Sequence, residues 1–167
     1  GASAFAAYNK AAALQPNDPA IPTYLGNAHA TAALRMKTGN AVEYAAALLN
    51  FEKALALKAD YTPAYFALIQ MFDREGRVDD AVLRAERLRV ILSNDGGTLF
   101  ELGILHYNAG RMDKAQVVLE QAVRLTPDYA NALYFLGLVY EKQGDRVRAL
   151  AQFEHVLRLN PKSAEMT

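Results

Sequence analysis

The sequence predicts an all-α protein, a solenoid of about nine helices arranged as antiparallel pairs, and three observations predict it. The first is self-similarity: Leu68, Leu102 and Leu136 stand 34 residues apart, as do Gly76, Gly110 and Gly144. Ala81, Ala115 and Ala149 share the period, and so do Leu88, Ala122 and Val156, then Ile91, Leu125 and Leu159. A fixed period of this length marks an architecture in which each unit buries its apolar face on its neighbours. The second observation is spacing within the period. Apolar residues recur at three- and four-residue steps, first through Leu99, Leu102, Gly103 and His106 and then through Ala115, Leu119 and Ala122, which places two helices in each period. The third is punctuation. Gly76, Gly110 and Gly144 fall between the two helices, where a residue free to take positive φ ends the first, and Pro127 and Pro161 close the second.

The elements follow in order. Ala4, Tyr8, Ala11, Leu14 and Pro16 occupy the columns of a second helix, so residues 3–16 are expected to be the back half of a repeat and the chain an excised piece of a longer protein, with Gly1-Ala2-Ser3 a cloning remnant. Residues 19–61 form the next repeat, opened by Leu25-Gly26 and His29 and finished by Ala47, Phe51, Ala54 and Leu57. Leu25 to Leu68 is 43 residues rather than 34. Thr38-Gly39-Asn40 is a turn signal flanked by Ala-rich sequence of high helix propensity, so the surplus is expected to lengthen both helices, by roughly 6 to 8 Å each. The alternative is a surface loop. Regular repeats are expected over 62–95, 96–129 and 130–163, the last helix over about 146–159. No polar capping helix follows Pro161, so Leu150 and Leu157 are expected to be exposed, and the uncapped terminal helices to self-associate or to pack on neighbouring repeats.

Composition narrows the function. The chain has 167 residues, 52% apolar and 22% charged, enough to bury a core without staples. Lys and Arg equal Asp and Glu at 18 each, which leaves no net positive field to gather nucleic acid or an anionic membrane. Apolar runs such as Leu133 to Tyr140 fall far short of the roughly 20 residues that span a bilayer, so direct membrane insertion is not expected. The chain has no cysteine, which suits cytoplasm and periplasm equally.

Leu133-x-x-Leu136-Gly137-x-x-Tyr140, followed by Gly144-Asp145, Ala149, Phe153, Val156 and Pro161, resembles the tetratricopeptide repeat pattern almost in full. Leu99, Leu102-Gly103, His106, Gly110, Ala115, Leu119, Ala122 and Pro127 match with His in place of the usual aromatic. Tyr65, Leu68, Phe72, Gly76 and Ala81 match again, with Ile69 in place of the small residue and Ser93 in place of the proline. The physical basis is close helix approach: Gly and Ala columns let two backbones meet while Leu and aromatic columns fill the gaps. The resemblance implies a right-handed α-solenoid whose first helices line a concave groove that holds ligands.

The columns facing that groove hold Thr23, Phe66, Phe100 and Tyr134, then Asn27, Gln70, Ile104 and Leu138, then Asp73, Tyr107 and Glu141. The expected partner-binding residues are Tyr24, Asn27, Phe66, Gln70, Phe100, Ile104, Tyr107, Asn131, Tyr134 and Leu138, with aromatics as apolar anchors and amides as polar selectors for a peptide. Phe66, Phe100 and Tyr134 could equally fill gaps between hairpins. The cations that clamp a peptide carboxylate in chaperone-adaptor repeats are missing from their columns, and the asparagine ladder of glycosyltransferase arrays is replaced by Tyr24, Ala67, Glu101 and Phe135.

Chemistry is not expected. His29 and His106 fall in the column of Phe72 and Tyr140 and read as core histidines, and His155 lies on the polar side of the last helix. No HExxH or Gly-rich phosphate loop occurs, so no metal and no cofactor is expected. Asp79 and Asp80 start a helix, where carboxylates favour the positive dipole end, and Arg84, Arg87 and Arg89 with Glu86 among them read as a solvated face. The sequence therefore points to a non-catalytic scaffold that binds a protein or peptide. The alternative is a regulatory or substrate-presenting arm of a larger, membrane-bound or soluble enzyme.

Overall fold

The computed structural model describes residues 2–36, 38–93 and 95–160, and Pro161 lies outside them, so its helix-closing role is not addressed. Among the described residues there are nine α-helices and no strand. The chain divides into two compact units, residues 1–84 and 85–167.

The first unit holds α1 (Ala2–Leu14), α2 (Ala20–Arg35), α3 (Ala41–Leu57) and α4 (Thr62–Arg74), and it takes the first half of α5 (Val78–Ile91). Phe51, Ala47 and Ala54 of α3 are fully buried, because their three- and four-residue spacing puts them on one stripe facing α2. Gly26 of α2 makes that approach close: a Cβ on it would lie 2.5 Å from Cε1 of Phe51. α2 and α3 have 16 and 17 residues, against 13 and 14 in α6 and α7. Their connection runs from Met36 to Asn40 and turns at Gly39, which has φ +73°.

The second unit holds the rest of α5 with α6 (Gly96–Asn108), α7 (Met112–Leu125), α8 (Ala130–Lys142) and α9 (Arg146–Leu159). Its core is built from Leu99, Ala115, Leu119, Ala122, Leu136, Val139 and Tyr140. Each buried Leu or Val contributes about 1.5–3 kcal/mol through its removal from water. α6 starts at Asp95, whose carboxylate accepts from the amides of Gly97 at 2.9 Å and Thr98 at 3.3 Å and from the Thr98 hydroxyl. α9 starts likewise at Asp145, which accepts from the Arg148 amide at 2.9 Å. That amide, and then the Arg148 guanidinium at 2.6 Å, hold the Asp145 carboxyl below the usual range.

The turns inside the hairpins obey one rule. Gly76, Gly110 and Gly144 take φ of +70°, +72° and +82°. In each case the next residue's amide reaches back to close the preceding helix, Arg77 to the carbonyl of Phe72 at 2.8 Å, Arg111 to His106 at 2.8 Å and Asp145 to Tyr140 at 2.9 Å. This satisfies carbonyls that the helix end would leave bare.

Candidate functional site

Helix positions four apart share a face, so the first helix of each pair can turn one row of side chains away from its hairpin partner. In the first unit that row is open. Tyr24 is 54% exposed and stacks on Tyr8 with ring centres 5.9 Å apart, while Phe66 is 39% exposed. Asn27 and Gln70 come together at the rim of a cleft of about 190 Å³, with Thr31, Tyr44 and Arg74 beside them and Leu34 and Met71 as apolar lining. Asn27, Gln70 and Arg74 have no hydrogen-bond or ionic partner among the described residues, so their donors and acceptors are turned to the cleft and to water.

The second unit treats the same columns differently. Phe100 is only 9% exposed, packed against Tyr129 at 5.1 Å and Phe135 at 5.8 Å between centres. Phe135 is the hub of this cluster. It also receives Tyr107 edge-on at 5.6 Å and Tyr134 edge-on at 5.8 Å, geometries in which a positive ring edge meets a negative face. Tyr134 leans on Phe153 of α9 at 5.8 Å yet stays 47% exposed. Ile104, Tyr107 and Leu138 are half-buried, and Asn131 is exposed. Burial raises the pKa of Tyr129, with the carboxylates of Glu101 and Asp95 adding to it.

The predicted site residues therefore split. Tyr24, Asn27, Phe66, Gln70, Asn131 and Tyr134 are accessible, Ile104, Tyr107 and Leu138 partly so, and Phe100 belongs to the core. Thr23, read as a groove position, is buried, its hydroxyl donating to the Pro19 carbonyl at 2.9 Å. Phe135 and Arg74 were missed. Phe135 was weighed only as a missing asparagine, and the 34-residue period that aligns Phe135 with Glu101 carries no trace of its ring contacts.

The histidines also differ from one another. His106 is buried as expected. His29 is half-buried rather than core, because its Nδ1 lies 2.7 Å from Glu43 across the α2–α3 hairpin and a carboxylate draws the ring toward water. His155 lies 3.0 Å from Asp128. Among the described residues no group of His, Asp or Glu is placed to hold a metal, and no helix is long and apolar enough to cross a membrane.

Residues 100–164 match the model of the tetratricopeptide repeat. Over that stretch the sequence is similar to that repeat. Solved structures extend the likeness over nearly its whole length. A crystal structure of MamA matches with a TM-score of 0.76 and 22% identity, covering 95% of this chain and 87% of that one. MamA 41-end from Desulfovibrio magneticus RS-1 matches with a TM-score of 0.74 and 21% identity, covering 93% and 82%. At such identity the likeness establishes the fold, an all-α solenoid of antiparallel helix pairs. No curated protein matches the sequence. Within the matched stretch the close approaches fall where the motif puts its small residues: a Cβ on Gly103 would lie 2.6 Å from Leu119, and one on Gly137 2.5 Å from Phe153.

Proposed function

We propose that this tetratricopeptide array is a non-catalytic scaffold for protein–protein interaction, holding a peptide or partner segment against the outward rows of its first helices. One observation carries the reading. Asn27, Gln70 and Arg74 gather at an open cleft with their hydrogen-bonding capacity unspent, and exposed Phe66 and the stacked Tyr24 precede Gln70 and Asn27 by about one turn of their helices. Amides at a cleft edge can pair with the backbone of an extended peptide, and an exposed aromatic beside them supplies apolar contact at low entropic cost. In the second unit Tyr134 and Asn131 offer the same pairing of ring and amide. The test is a pull-down with the wild-type chain and with the Asn27→Ala/Gln70→Ala double variant, thermal melting recorded for both. A partner retained by the wild type and lost by an equally stable variant is the expected result; equal retention would overturn the reading.

Self-association through α9 is part of the same proposal. Val147, Leu150 and Leu157 are 82%, 57% and 46% exposed on one helix, an apolar display suited to a second copy. Sedimentation of the wild type and of Leu150→Glu at rising concentration tests it. Association confined to the wild type is expected, and a monomeric wild type throughout would refute it.

A further inference from the structure

The three histidines occupy unlike electrostatic settings. His29 faces Glu43 at 2.7 Å and His155 faces Asp128 at 3.0 Å, so a proton on either ring meets a counter-ion. His106 of α6 is 4% exposed, and its Nδ1 is buried with no hydrogen-bond partner. A buried polar atom left unpaired is costly, and a buried charge left unpaired costs far more. The charged groups near the ring are Lys114 of α7 and Arg111 of the turn, which both oppose a proton there, and Glu86 of α5, which favours one.

The same column holds Phe72 and Tyr140, each with a guanidinium over its ring, Arg77 at 4.4 Å and Arg148 at 4.3 Å. His29, the fourth member of the column, is half-buried and has Glu43 within 2.7 Å. His106 is a ring of the right shape that can become charged.

We propose that the α6–α7 hairpin is an acid-labile latch: below neutral pH a proton reaches the His106 ring, the buried Nδ1 has no acceptor to meet the charged form, and the hairpin loosens. Burial, followed by Lys114 and Arg111, holds the pKa of His106 below the ordinary value of 6.5. Stability tied to the neutral ring is complete above that unfolded value and is lost as pH falls from there toward the folded one, by at most about tenfold in the folding equilibrium per pH unit. α6 also carries Ile104 and Tyr107, so, resting on the groove reading above, acidification would release a partner held on that face.

The test needs no partner. The 167-residue wild-type chain and His106→Phe, a ring already used in this column, are melted at about pH 7.5 and about pH 5.5, above and below the ordinary histidine value. The expected result is a larger fall in the wild-type folding equilibrium than in the variant, by up to about tenfold. Equal falls would overturn the latch. Titration of the imidazole resonances of the wild type stands independently of whether the variant folds: His106 titrating below the ordinary value of 6.5 supports the proposal, and titrating at or above it sinks it.

Discussion

Gly103 of α6 and Leu119 of α7 sit so close that a Cβ on the glycine would lie 2.6 Å from the Leu119 Cγ. Leu119 is itself fully buried, so it has no open side to move toward. Gly103→Ala is expected to destabilise the protein by about 1–3 kcal/mol through overpacking, even though alanine favours helix. Chemical denaturation measures this, and a stabilised variant would show that the two helices separate freely.

Ser93, between α5 and α6, takes φ +54°, the only positive φ at a non-glycine among the described residues. The left-handed region costs an L-residue roughly 1–2 kcal/mol, partly offset by the chain entropy that glycine loses on folding. Ser93→Gly is expected to raise stability by about 0.5–1 kcal/mol. A lower melting temperature would contradict it.

Phe100 and Tyr134 share a repeat column and differ in burial, 9% against 47% exposed. Phe100→Ala should cost about 3–5 kcal/mol as a core truncation. Tyr134→Ala should cost roughly 1 kcal/mol, the scale of its edge contacts, while weakening partner capture. Equal stability losses would show that exposure does not separate the two roles.

Tyr140 donates its hydroxyl to Glu120 at 2.9 Å across the α7–α8 contact. Burial, then that carboxylate, pushes its pKa up to about 12, so the bond persists throughout the physiological range. Tyr140→Phe leaves the Glu120 acceptor without this donor and is expected to lose about 0.5–1.5 kcal/mol. No loss by denaturant titration would mean that water replaces the hydroxyl fully.

The fold was legible because its signals are local. Gly76, Gly110 and Gly144 announce left-handed turns wherever they stand, and the columns of Leu and Ala announce which helix face is buried. Ring contacts were harder to read. Phe66, Phe100 and Tyr134 are equivalent by period, yet only Phe100 has rings of Tyr129 and Phe135 closing over it. His29 and His106 are equivalent too, and only His29 finds a carboxylate, because Glu43 comes from the lengthened first hairpin.

By itself, the sequence determined that this protein is a succession of antiparallel helix pairs, since helical periodicity and glycine turns act over a few residues. Only tertiary structure decided which members of each column face water, which lose their hydrogen-bond partners and which converge on a cleft. Those outcomes depend on side chains that arrive from other helices, and a period of 34 records position without recording neighbours.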